Sequence, residues 1–209
     1  MYIPKEFKET NQAEILHFIG KNALGILVSS TGVFEPLVSH IPLISSLEND
    51  EIILEGHLSI HNPHADQIKK GKTALVIFQG PNAYVSSSVY SHENVPTWNY
   101  QAVHLYGTVE ILSNDALQAH LAQAVDFFES GRDPKLAYSN FSKSMLESYL
   151  NEIIGFRLRA YKTEAANKMS QNRNEVDYQN IVTDLSESNN PLDQEVAKEM
   201  DKLKKSQKQ

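Results

Sequence analysis

The chain is expected to fold as a mainly β protein with added helices, its strands closed into a barrel or sandwich. Three observations predict this. Six short strand-like runs fall within the first 112 of 209 residues, several joined by tight turns, which favours antiparallel closure over a parallel α/β sheet. Longer helical periodicity appears only after residue 113. Hydrophobic residues make up 41% of the chain, enough for one core, yet no run approaches the roughly 20 apolar residues that cross a bilayer.

The elements follow in order. Asn11, with Glu14 three residues later, reads as a capping box. Ile15, Phe18 and Ile19 then share one face of a helix ending near Asn22. Residues 24–29 (LGILVS) form a buried strand, and residues 34–43 a second, with Gly32 at the turn between them. Residues 51–58 are a third, in which Gly56 marks a bulge or a close backbone approach. Asn62 and Pro63 start a short helix ending near Gly71, since Asn caps and Pro gives up no needed N–H. Residues 73–79, 83–88 and 102–112 are three further strands. Ser113 caps a helix to about Ser130, with Ala116, Leu117, His120, Leu121 and Ala124 on its apolar face. Residues 131–134 are a break, 142–151 a helix and 153–160 a strand with Ile154, Phe156 and Leu158 on one side. Residues 186–191 are a polar turn and 192–205 a charged helix. The expected division is a main domain at 1–185 and a polar turn and helical tail at 186–209.

Composition narrows function. With 19 basic and 26 acidic residues the net charge is −7, which disfavours direct nucleic-acid binding and acidic membranes. The absence of cysteine excludes disulfides, thiolate metal sites and cysteine nucleophiles. The first ten residues lack an apolar run behind a basic start, so no secretory signal is expected. A soluble, cytoplasmic protein is expected.

Residues 78–107 are the richest in candidate chemistry. They hold the one tryptophan, Trp98, with Tyr84, Tyr90 and Tyr100 among hydrogen-bonding side chains. Two readings stand: a wall for a planar, mixed-polarity cofactor, or a hairpin whose aromatics fill a core. His57, His61 and His64 lie close in sequence, but not at metal-ligand helix spacing, so hydrogen-bonding roles are favoured over a metal site. Residues 54–66 offer donors from Ser59, His61 and Asn62 before a helix start. That suits a phosphate, although an ordinary capped helix is the simpler reading. No GxxxxGK[ST], GxGxxG or GxSxG pattern occurs. KMSQNR at 168–173 groups a cation, a hydroxyl, two amides and a guanidinium suited to phosphate or carboxylate.

Taken together, these segments resemble one family. MYIPKEF at 1–7, SHIP at 39–42, GHLSIHNP at 56–63, FQGPNAYVS at 78–86, VPTWNYQAVHLYG at 95–107 and KMSQNR at 168–173 are similar, in order and spacing, to the PaiB-like group of FMN-binding negative transcriptional regulators. The resemblance runs over about the first 185 residues. It implies an FMN-binding split β-barrel, related to flavin-reductase and pyridoxamine-phosphate-oxidase barrels, that forms a homodimer with FMN near the subunit interface. It also implies roles. His57, Ser59, His61 and Asn62 would hold the phosphate, and Thr97, Trp98 and Asn99 would lie beside the isoalloxazine ring. Gln79 and the backbone at His40 would meet the ring edge, and Gln171 and Arg173 would close the site. The chain departs from the family pattern at Val89 and at Ala165, Ala166 and Asn167.

The first functional expectation is an FMN-binding regulator acting indirectly. An alternative is a flavin reductase or oxidoreductase using NAD(P)H, in which the flavin carries the redox chemistry. His104 would be a weak proton donor there. A further alternative is haem binding on the same barrel.

Overall fold

The computed structural model describes residues 1–30, 32, 35–71, 73–132 and 137–206. Among the described residues seven strands and six α-helices follow one another as β1 (Lys8–Glu9), α1 (Gln12–Lys21), β2 (Leu24–Ser29), β3 (Leu37–Glu48), β4 (Glu51–Ser59), α2 (His64–Lys69), β5 (Thr73–Val85), β6 (Thr97–Ile111), α3 (Asn114–Phe128), α4 (Lys143–Leu150), β7 (Ile153–Lys168), α5 (Glu175–Glu187) and α6 (Pro191–Ser206). The chain divides into two units: residues 1–15, 79–103 and 164–209, and residues 16–78 and 104–163.

The second unit is the barrel. Its strands run in the order β7-β4-β3-β2-β5-β6, and a β7–β6 pairing closes the ring. The pairings of β2 with β3 and β5, and of β4 with β3 and β7, are antiparallel. Alternation explains the closure: Leu27, Leu43, Leu54, Phe78, Leu105, Phe156 and Leu158 are all buried, between more exposed neighbours on most strands. Gly56 stays in regular register with Leu43 and Phe156 rather than forming a bulge. A Cβ there would stand 2.6 Å from the Leu43 side chain, so its close approach is to the core and not to a ligand.

The first unit has its own core. Ala83, Val85, Tyr90, Met169, Tyr178, Ile181, Val182, Leu185, Val196, Ala197 and Met200 form one buried cluster. β1 adds to β7 here through Lys8 opposite Ala166 and Glu9 opposite Ala165.

Several expectations hold closely. β2 spans the predicted residues. Ser113 caps α3 as expected, accepting from Ala116 N–H; Ser142, not read as a cap, does the same for α4 through Met145 N–H. Asn11 accepts from Ala13 N–H at 2.9 Å, but its own N–H donates to Glu9 Oε1 at 2.7 Å. Glu9 thus stands where the capping box expected Glu14. The strands expected at 73–79 and 83–88 are one strand, β5, which stops at Val85; Ser87–Val89 turn as a short 3-10 helix instead. Gly80 and Pro81 read as a break, but the fixed φ of proline suits an extended strand where no ladder N–H is needed. β6 and β7 likewise extend past the expected residues, to Thr97 and Lys168. α5 was not expected. Asn174 caps it, and Tyr178, Ile181, Val182 and Leu185 carry its buried stripe. Phe34, in the expected second strand, and Asp133 and Pro134, in the expected break, lie outside the described residues.

Candidate functional site

The expected residues fall into two groups, one in each unit. In the barrel, β4 ends in a turn that gathers Ser59, His61 and Asn62. Ser59 Oγ accepts from His61 N–H at 3.2 Å. Asn62 Oδ1 accepts from His64 N–H at 2.9 Å. Pro63 has helical angles, φ −54° and ψ −26°, so Asn62 caps the start of α2 as expected. Asn62 Nδ2 donates to Ser39 Oγ at 3.2 Å, and Ser39 Oγ lies 2.7 Å from His64 Nδ1. Ser39 and His64 are polar members of this turn that the sequence reading did not place with it, although it expected a hydrogen-bonding role for His64. Ser39 opens the SHIP motif and His64 directly follows GHLSIHNP, which is the signal that would have found them. α2 has only six residues. Its dipole is therefore a weak attraction for phosphate, and the turn's hydroxyl, amide and backbone N–H groups are what suit one.

The other barrel residues go elsewhere. His40 is exposed on β3, opposite Ile26 of β2. The exposed His61 lies 3.7 Å from Glu152. His57 Nδ1 meets His120 Nε2 at 3.2 Å, with the rings edge-on at 5.4 Å. Burial lowers the His57 pKa. His120, only 1% exposed, is pushed down to about 4, first by burial and then by His57. Behind it Glu55 Oε2 lies 3.9 Å from His120 Nδ1, and Arg157 donates to Glu55 Oε1 at 2.6 and 2.9 Å. Among the described residues no group of three or more His, Asp or Glu side chains gathers as a metal site.

The second group lies in the unit built from 1–15, 79–103 and 164–209. Here the structure brings Thr97, Trp98 and Asn99 together with the KMSQNR turn. Ser170, at φ +57°, lets that turn reverse tightly. Ser170 Oγ donates to Asn99 Oδ1 at 2.8 Å, and Asn99 Nδ2 reaches Met200 Sδ at 3.5 Å. Asn99 is fully buried, so it positions the strand. Lys168 Nζ donates to Thr97 Oγ1 at 2.6 Å and to the Trp98 carbonyl at 2.9 Å. Burial, and then Arg173, lower the Lys168 pKa. Gln171 is spent on the turn: it accepts from Met169 N–H and donates to the carbonyls of Asn167 and Glu6. The Arg173 guanidinium lies 5.0 Å over the Tyr90 ring. Gln79 is exposed on β5.

Trp98 itself is turned outward. Its ring is 49% exposed, tilted against the 52% exposed Tyr84 at 5.8 Å, and its Nε1–H donates to Asn82 Oδ1 at 3.1 Å. This is a fixed aromatic surface with amide and ammonium groups at its edge, the composition a planar mixed-polarity ring requires. The plain core-hairpin reading of this stretch fits Tyr90, which is buried, and does not fit Trp98.

Comparison with known proteins bears on the family and the fold. Residues 1–162 match the family model described as "Putative FMN-binding domain". The chain is 43% identical to the protease synthase and sporulation protein PAI 2 of Bacillus subtilis (strain 168), over 98% of this chain and 99% of that protein. Among solved structures, an FAD and haem binding protein from Mycobacterium smegmatis superposes with a TM-score of 0.60 at 18% identity, covering 77% of this chain and 73% of that one. The flavocytochrome Anf3 from Azotobacter vinelandii superposes at 0.56 with 14% identity, covering 85% and 78%. These two likenesses establish the split-barrel fold. The family match and the near full-length PAI 2 likeness place the chain in the PaiB-like family of FMN-binding split-barrel proteins.

Proposed function

We propose that this FMN-binding split-barrel protein is a cytoplasmic homodimer with FMN near the subunit interface, acting as a negative regulator of transcription by an indirect route. The fixed, outward-facing Trp98–Tyr84 pair is the observation that carries the flavin assignment, because a surface aromatic pair tied to Asn82 is prepared for a stacking partner. In this reading Trp98 contacts the ring. Thr97 and Lys168 support it from behind, while Asn99 and Gln171 fix the turn that carries them. Gln79 and Arg173 add polar edges.

In the barrel unit, Ser59, His61 and Asn62, joined by Ser39 and His64, are proposed to take the phosphate. His57 serves through its contact with His120, and His40 contributes backbone. The neighbouring exposed Val95, with Trp98 and Tyr84, supports a surface that a second copy covers. A net charge of −7 supports repression through a small molecule or protein partner rather than direct DNA contact.

The purified protein tests this directly. It should carry flavin absorbance and elute as a dimer, and the extracted cofactor should be FMN. Absence of flavin after reconstitution with excess FMN would overturn the assignment. A gel shift on promoter DNA would overturn the indirect route.

A flavin reductase is the second reading, favoured by the exposure of Trp98 and Tyr84, which leaves room for an incoming nicotinamide. Anaerobic NAD(P)H should then bleach the bound flavin. A flavin that stays oxidised removes this reading.

A further inference from the structure

A small cavity lies between α2 and the barrel wall. Its polar lining is Ser29 from β2, His64 and Gln67 from α2, and Thr73 from β5; Leu27, Ile68 and Val109 are among its apolar neighbours. The volume open to the centre of a water molecule is about 10 Å³, enough for one. Three buried polar atoms belong to this lining and have no hydrogen-bond partner among the described residues: Ser29 Oγ, His64 Nε2 and Gln67 Oε1. Ser29 is 7% exposed and His64 1%. One unsatisfied buried polar atom is costly; three on one void of this size point to a shared occupant.

We infer that a single structural water occupies this cavity, bridging Ser29 Oγ, His64 Nε2 and Gln67 Oε1. Three partners is the usual number for a buried water. A water both donates and accepts, so it serves the acceptor Gln67 Oε1, the hydroxyl of Ser29 and either tautomer of His64. A metal ion does not suit the set, which holds no carboxylate.

The bridge has a positional consequence. α2 is only six residues long and is held to β3 through Ser39 Oγ and His64 Nδ1. The water fastens the other nitrogen of the same ring to β2. His64 is thereby fixed at both ends, and with it the Asn62 turn. The inference stands whether or not that turn binds phosphate.

Two measurements test it on the full chain. Oxygen-17 relaxation dispersion of water should count one fewer long-lived internal water in Ser29→Val than in the unmodified protein. In the same variant the thermal midpoint should fall by about 2–8 °C, because the valine displaces the water and strands His64 and Gln67. Filling a dry apolar void would instead raise the midpoint and leave the water count unchanged, and that result overturns the inference. Should Ser29→Val fail to fold, Gln67→Leu replaces it in the dispersion measurement, with the same loss of one water expected. An unchanged count there also overturns the inference.

Discussion

Ser170 Oγ donates to Asn99 Oδ1 at 2.8 Å, joining a left-handed turn residue to a fully buried strand residue 71 positions away in sequence. The bond locks the KMSQNR turn to the strand that presents Trp98. Asn99→Ala leaves the buried Ser170 hydroxyl without its acceptor and opens space beside Met200. It should destabilise the protein by about 2 kcal/mol. Urea unfolding followed by Trp98 fluorescence measures this, and a loss below about 0.5 kcal/mol would show the bond to be incidental.

Trp98 contrasts with Asn99. Its ring is half exposed, and its indole N–H donates to Asn82 at the surface. Trp98→Ala should change stability by less than about 1 kcal/mol. It should weaken FMN binding by about tenfold or more, the scale of a lost aromatic contact. Equilibrium titration with FMN and thermal unfolding of the same sample separate the two effects. A large stability loss with unchanged FMN affinity would make Trp98 a packing residue.

Acid should loosen α3 from β4. His120 has a folded-state pKa of about 4 against an ordinary 6.5. Between these values the unfolded chain binds the proton and the folded chain does not, so stability rises with pH across that window. The contribution is complete above about pH 6.5 and is lost as pH falls toward about 4, on the order of 3 kcal/mol in all. The groups facing His120 are His57 and Glu55, with Arg157 on Glu55. Unfolding free energy measured from pH 4 to pH 7 should follow this slope, and His120→Leu should flatten it. An identical slope in that variant would assign the acid sensitivity to other groups.

Gly107 sits where no side chain fits. A Cβ there would stand 2.5 Å from the Arg159 carbonyl oxygen and would also strike Leu158. Backbone in a strand pair cannot yield as a flexible side chain does. Gly107→Ala should cost about 3 kcal/mol or prevent barrel closure. Gly131→Ala is the contrast: open space surrounds it, and its φ of +80° makes the cost one of backbone strain, about 1 kcal/mol. Comparable midpoints for the two variants would refute the steric reading.

Local signals proved legible. The apolar run in residues 24–29, the cap at Ser113 and the Asn62–Pro63 helix start all stand as expected. Breakers misled at Gly80 and Pro81, where an extended strand absorbs both residues. α5 was legible in the stripe of Tyr178, Ile181, Val182 and Leu185 after Asn174, but the polar residues between them hid it. The turn of Ser59, His61 and Asn62 is visible because its members are neighbours. His57 against His120, 63 residues apart, is not, since only strand order and helix docking bring them together.

The division of the chain bears on how the protein is made. One unit is assembled from residues 1–15, 79–103 and 164–209, and its core joins Ala83 and Val85 to Val196, Ala197 and Met200. A ribosome releases those residues in order, so the barrel's own residues 16–78 and 104–163 are all synthesised before the last wall of the Trp98-bearing unit exists. The surface around Trp98 is therefore a late product of synthesis. A chain cut short after residue 163 would keep the contacts of Trp98 with Asn82 and Tyr84 but lack Lys168, which bonds the Trp98 carbonyl, and the part of that core that follows it.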